Sequence, residues 1–245
     1  MNTVMETMLA HRSIRKFRAE PVSAETLTTL IRCGQAASSS SFIQACSVIH
    51  VTDPNHRQQI AEAAGGQAWV AVAPVFLVYC ADLTRVNQAC EQEGLGALQG
   101  HTEHFITATV DTALLAQNVL LAAESMGLGG VFIGGIRNNP QLVSDLLGLP
   151  GQVYPVFGMC LGWPDQETAV KPRFPVPVVL HEGRYRAGHA ADEVAAYDAQ
   201  MQDYYQSRGS NQKLSNWSAQ TAAAVQKKQR GHMLAFLQAR GLLLR

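Results

Sequence analysis

Apolar positions repeat along this chain with two different periods, and the switches between them mark out its elements. Residues 2–10 read as a short first helix. Pro21 and Ser23 then introduce a second one, with Ser23 placed to cap it and Leu27, Leu30 and Ile31 on one face. It runs into "QAASSSSF", where four serines break the pattern. "CSVIHVTD" reads as a strand and "NHRQQIAEAAGG" as a helix closed by Gly65 and Gly66. "APVFLVYCAD" is almost continuously apolar, the signature of a strand buried on both faces.

The longest helical pattern runs from His101 to Met126. Its apolar residues Phe105, Ile106, Val110, Leu114, Leu115, Val119, Leu120 and Leu121 lie almost all round it. A helix with so little polar face is either central in a core or shared with a second subunit. Asp111, Gln117 and Asn118 interrupt it, which speaks against a membrane span. "VFIGG" then reads as a strand, "NPQLVSDLLG" as a helix and "QVYPVFGMCLGW" as a further strand. The fold class predicted is α+β, with strands and helices interspersed.

After Pro164 the texture changes. Prolines crowd around "KPRFPVPVVLHE", which is predicted to be extended because an interior proline removes a helical hydrogen bond. Helices are predicted at about 191–206 and 217–239, the first with its own stripe of Val194, Tyr197, Met201 and Tyr204. Between them lies "SRGSNQKLSN", a polar loop carrying Arg208 and Lys213.

Composition narrows the partners. The 245 residues carry 19 basic and 19 acidic side chains, so no broad field for nucleic acid or anionic membrane is expected. Five cysteines form no CxxC pair and no secreted disulfide framework. With charges at Glu6, Arg12 and Arg15 and no apolar signal core at the start, the expected compartment is the cytoplasm.

Familiar catalytic signatures do not fit. "GLGGVFIGG" has Phe132 at the sixth position of a GxGxxG and sits between a helix and a strand, the reverse of the dinucleotide-binding order. There is no phosphate-binding GxxxxGK[ST] loop and no GxSxG elbow. His101, Glu103 and His104 lack further ligands at zinc-site spacing, so no metal is expected, and the cysteines read as core fillers. Two basic clusters remain, His11–Arg15 and Lys171–Arg173, with the serines at 38–41 and the Gly134–Gly135 turn. A phosphate needs convergent donors, and glycine lets backbone approach a flat ligand. The residues alone point to a phosphorylated, partly aromatic ligand.

Taken together, "HRSIRKF", "SSSSFIQ", "GGQ", "VDTALLAQNVLLAAESMGLGGVFIGGIRNNP", "VFGMCLGWP", "KPRFP" and "YYQSRGSN" resemble, in this order, the oxygen-insensitive NADPH nitroreductases and NADPH–FMN reductases of the FMN-dependent nitroreductase family. The likeness spans nearly the whole chain. It implies one nitroreductase-like domain over 1–245, with a central mixed sheet flanked by helices. It further implies an intertwined homodimer and a C-terminal excursion at 165–245.

The resemblance also implies tightly bound, non-covalent FMN, with NADPH as electron donor and small flat electron acceptors as substrates. His11, Arg12 and Ser13, with Lys171, Pro172 and Arg173, match the cradle for the FMN phosphate. Ile14 continues that turn, and Arg15 matches a contact to the pyrimidine edge that stabilises negative charge on the ring. Ser39 and Gln67 match ribityl or ring contacts, and Phe132, Ile133, Gly134 and Gly135 the backbone stretch along the flavin. Arg208, with Lys213 in the following loop, matches the grip on the 2′-phosphate of NADPH. Ser41, Phe42 and Arg230 match the acceptor side. The implied activity is two-electron reduction of nitroaromatics, nitrofurans and quinones with ping-pong kinetics and no side-chain nucleophile. The alternatives are a flavin reductase serving a partner enzyme and a non-catalytic flavin-binding protein.

Overall fold

In the computed structural model, which describes residues 1–208 and 212–245, the apolar run of the second predicted strand becomes the centre of the fold. Strand β2 (Val75–Asp82) is buried along its whole length. Its side chains alternate between two cores, as the period of two requires. Phe76, Val78 and Cys80 join one cluster with Ile60, Val70, Ile133 and Val143. Val75, Leu77 and Tyr79 join another with Leu30, Val119, Leu120 and Met159. Burying one such large side chain is worth roughly 1.5–3 kcal/mol, so this strand anchors both layers.

Strands β1 (Cys46–His50), β3 (Gly129–Ile133) and β4 (Val153–Gly162) complete a sheet of order β1-β2-β4-β3. All three pairings are antiparallel, with Val48 opposite Tyr79, Phe76 opposite Cys160 and Val131 opposite Cys160. The expectation of a mixed sheet is therefore corrected for the described residues. Two-face burial arises here because helices cover both sides, not because the strands run parallel.

The first helices are α1 (Thr3–Leu9) and α2 (Ala24–Gln35), the latter capped by the Ser23 side chain, which accepts from Thr26 N–H. They are followed by α3 (Pro54–Ala63), α4 (Trp69–Val72), α5 (Thr84–Gln92) and α6 (Thr102–Ser125). Helix α6 has 24 residues and a window of mean hydropathy 1.4, long and apolar enough to cross a membrane by length and composition. Packing accounts for that apolarity. Ala108, Leu115, Ala116, Val119, Leu120 and Ala123 are buried against α2 and the sheet, while Ile106, Val110 and Leu114 form an exposed stripe. Helix α7 (Pro140–Leu146) precedes β4.

The chain forms two units, Met1–Thr168 with Arg230–Arg245, and Ala169–Gln229. In the second, α8 (Val176–Val179) is one helical turn inside the segment predicted to be extended. Its prolines occupy the first turn, where no N–H is needed. Helix α9 (Ala191–Ser207) packs Tyr197, Met201 and Tyr205 against Phe174 and Trp217. The helix predicted over 217–239 is two, α10 (Trp217–Lys227) and α11 (Met233–Ala239), parted where Arg230 takes φ 44°. Only α11 belongs to the first unit.

Candidate functional site

The basic turn in the first unit is fixed by its backbone, which leaves its charged side chains available. Ile14 is buried, and its N–H donates to Gly130 C=O at 2.9 Å. Gly129 makes this approach possible, because a Cβ there would stand 2.5 Å from Ile14 Cγ1. The Arg15 and Lys16 N–H groups donate to Gln166 Oε1 at 2.9 and 2.7 Å, and Arg18 N–H donates to Trp163 C=O. The Ile14 side chain therefore packs the core, and only its main chain can face a ligand. Arg12 and Arg15 are exposed, Ser13 is half-buried, and among the described residues no carboxylate pairs with either arginine. His11 is the exception, with Nδ1 2.7 Å from Glu124 Oε1.

Arg15 lies over the Trp69 ring at 5.8 Å, within cation–π range. The Trp69 indole N–H is buried without a partner. Two residues before it, Gln67 donates through Nε2 to Ala64 C=O at 2.8 Å and abuts Gly135. A Cβ on Gly135 would lie 2.4 Å from Ala64 O and 2.5 Å from Gln67 Nε2, so only glycine fits. The structure thus seats Arg15 on Trp69, two residues along the chain from Gln67, which in turn abuts Gly135. Phe132 is the one exposed residue of β3 and stands edge-on to Phe157, while Ile133 is wholly buried and offers its main chain alone.

Just beyond, Arg137 donates to Val156 C=O, and burial followed by the nearby charge of Arg230 holds it below the usual guanidinium range. Arg230 donates through Nε to Asn138 Oδ1 at 3.0 Å. Ser41, Phe42 and Arg230, the three residues matched to the acceptor side, all adopt positive φ, at 46°, 58° and 44°. Non-glycine residues rarely sit there, and such strain concentrates at ligand sites.

The serine loop is placed elsewhere. A short 3-10 turn at Ser40–Phe42 leads into β1, at the sheet edge opposite β3, so about 14 Å of sheet separates it from Gly134. Among the described residues, no hydrogen bond joins Ser39 to Arg15, Gln67 or Gly135, and Ser39 Oγ is buried without a partner. Asp111, only 3% exposed on α6, accepts from Ser40 N–H at 3.0 Å and Ala45 N–H at 3.5 Å. Beside it opens a cavity of roughly 700 Å³, lined by Ser38, Ser39, Arg85, Asp111 and Leu115 among others.

In the second unit, Lys171 Nζ lies 5.5 Å from the Tyr205 ring centre. The Arg208 guanidinium lies 5.8 Å from Tyr204 and 5.9 Å from Tyr205. Tyr197 O–H donates to Pro172 C=O at 3.0 Å. Burial raises the Tyr197 phenol, and the charges of Lys171 and Arg173 pull it back only in part. Lys213 N–H donates to Tyr205 C=O at 3.3 Å. Gly209, Ser210 and Asn211, the end of the "SRGSN" motif, lie outside the described residues.

Burial pushes the Cys80 and Cys160 thiols up to about 12, as suits core fillers rather than nucleophiles. Among the described residues no group of three or more His, Cys, Asp or Glu converges as a metal site requires.

Comparison with known proteins gives this arrangement its context. The model of the nitroreductase family matches residues 8–163, and that of the nitroreductase family C-terminal domain matches 171–245. The chain belongs to the nitroreductase family. This nitroreductase is 48% identical to the NADPH-flavin oxidoreductase of Vibrio harveyi, over 100% of both chains. It is 43% identical to the oxygen-insensitive NADPH nitroreductase of Salmonella typhimurium, over 98% of each. The solved structure of the NADPH:FMN oxidoreductase of Vibrio harveyi complexed with NAD+ superposes on it with a TM-score of 0.90, at 44% identity and full coverage of both chains.

The residues present fit a bound FMN. Unpaired Arg12 and Arg15 suit a phosphate and an electron-rich ring edge, and the orphaned indole N–H of Trp69 adds a donor beside Arg15. Sequence reasoning did not single out Trp69, Tyr205 or Asp111 as site residues. Asp111 did leave a signal, as a carboxylate inside an otherwise apolar helical face.

Proposed function

We propose that this nitroreductase is an NADPH-dependent FMN enzyme that reduces nitroaromatics, nitrofurans and quinones in two-electron steps. The observation that carries the proposal is the backbone-fixed basic turn, which presents Arg12 and Arg15 without carboxylate partners and seats Arg15 on Trp69, two residues from the Gln67 that abuts Gly135. FMN, when bound, supplies the hydride chemistry, and the protein supplies position and charge.

Each residue then has a defined task. In the first unit His11, Arg12 and Ser13 serve the cofactor phosphate; in the second, Lys171 and Arg173, on either side of Pro172, offer cations suited to a phosphate. Arg15, seated on Trp69, sets a fixed positive charge at the pyrimidine edge, where charge stabilisation is most effective because it needs no reorganisation. Gln67 and the main chain of Phe132–Gly135 orient the ring. Arg208 reads the 2′-phosphate of NADPH with its planar fork, and Lys213 adds a point charge. Ser41, Phe42 and Arg230 border the space for a flat acceptor. Donor and acceptor occupy that space in turn.

The active form is a homodimer, for which the exposed stripe of Ile106, Val110 and Leu114 provides apolar surface. Ser39 Oγ is buried without a partner, and among the described residues no hydrogen bond joins it to Gln67 or Gly135, so its loop is assigned to the cofactor of the second copy. The five unpaired thiols suit a reducing cytoplasm.

Steady-state kinetics with NADPH and nitrofurazone should give parallel double-reciprocal lines, and intersecting lines would contradict a shared space. Arg208→Ala should raise KM for NADPH about tenfold while leaving KM for NADH nearly unchanged, in line with the loss of one charge-assisted contact. A second reading, delivery of electrons to free FMN for a partner enzyme, is favoured by the 48% identity to the NADPH-flavin oxidoreductase of Vibrio harveyi. Turnover on free FMN compared with turnover on nitrofurazone separates the two.

A further inference from the structure

The second unit holds more aromatic surface around its cations than a simple phosphate clamp needs. Tyr205 is 5% exposed, and two different cations lie against its ring. Lys171 arrives from the segment before α8, at 5.5 Å. Arg208 arrives from the end of α9, at 5.9 Å, and also touches Tyr204, which itself stands edge-on to Tyr205. Among the described residues neither cation has a carboxylate partner. The Tyr205 ring is therefore the one surface that both cations share, with Tyr204 a second contact for Arg208. A long cationic side chain loses rotamer freedom on binding a phosphate, and a ring face that holds it beforehand lowers that cost.

We propose that Tyr205 is a positioning residue shared by two phosphate sites: its ring seats Lys171 for the cofactor phosphate and Arg208 for the 2′-phosphate of the donor, so one side chain tunes both affinities. Tyr204 touches Arg208 alone and serves the donor only. This rests on the roles given to Lys171 and Arg208 under the proposed function. Neither tyrosine is a catalytic residue, since each acts through the cation it carries.

The test uses the purified full-length flavoprotein and reads two ligands separately. One readout is the FMN dissociation constant from equilibrium dialysis, and the other is KM for NADPH against KM for NADH. Tyr205→Leu should weaken FMN and raise KM for NADPH, each by about 3- to 10-fold, the range of a lost cation–π contact, with KM for NADH unmoved. Tyr204→Leu should raise KM for NADPH alone. Tyr205→Phe keeps the ring and should match the unaltered protein. Should Tyr205→Leu fail to fold, pentafluorophenylalanine at position 205 keeps the ring volume, reverses its charge distribution, and should give the same double loss.

The inference is overturned if the ring-removing change moves only one ligand, moves NADPH and NADH equally, or if Tyr205→Phe behaves like Tyr205→Leu. Lys171→Ala and Arg208→Ala keep that failure distinct from failure of the underlying assignment. If Lys171→Ala leaves FMN binding intact, or Arg208→Ala leaves KM for NADPH intact, the assigned cations are wrong whatever Tyr205 does.

Discussion

Asp111 ties the loop that carries Ser39, Ser41 and Phe42 to α6, by accepting two backbone N–H groups from one buried carboxylate. An asparagine there keeps one acceptor and turns an N–H donor toward the other. Asp111→Asn should therefore raise KM for nitrofurazone several-fold with less effect on kcat, and lower stability by about 1–3 kcal/mol, the usual cost of a buried group left unsatisfied. An unchanged KM would separate the loop from the acceptor site. Asp82 makes a different kind of prediction. Burial pushes its carboxyl up, but hydrogen bonds from Ser47 and Thr84 and the charge of Arg85 outweigh that and hold it below the usual range. A depressed carboxylate contributes stability that is complete above its unfolded pKa of about 3.9 and is lost as pH falls from there through the folded value. Asp82→Asn should thus be less stable than the unaltered protein at pH 7, with the gap narrowing below about pH 4. Denaturation at pH 7 and pH 3 measures it, and a gap of equal size at both would contradict the assignment.

At the scale of elements, α6 has two faces with different tasks. One covers the sheet, and the other offers Ile106, Val110 and Leu114 at a spacing of four residues. Val110→Asp with Leu114→Asp should halve the molar mass seen by light scattering while leaving the helical signal intact, because neither side chain belongs to the buried face. A dimer that survives this pair would place the interface elsewhere. The same helix shows what patterning could and could not reveal. Its all-round apolarity left open a core helix or a shared one, and it serves on both counts once the dimer is granted. The strand at 75–82 was legible because seven consecutive apolar positions, closed by Asp82 and with no helical period, fit a short buried strand. The turn at Val176–Val179 was not, since prolines forbid a helix interior yet suit its first turn. Nor was the break at Arg230, whose positive φ no propensity would have placed there.

For the molecule as a whole, the basic turn at 11–15 was readable from local composition, because so many cations within eight residues of a neutral chain require an explanation. Its ligand was not readable from the residues alone. Convergence of Arg15, Trp69, Gln67 and Gly135 depends on long-range packing, and so does the double use of Tyr205. The central claim is that these donors hold a flavin which NADPH reduces. An anaerobic visible absorption spectrum of the purified protein, taken before and after one equivalent of NADPH, tests it most directly. The account predicts an oxidised flavin spectrum at about one FMN per chain, bleached fully on mixing. A colourless protein that takes up no added FMN at micromolar concentration, or a flavin that NADPH leaves unbleached, would contradict it.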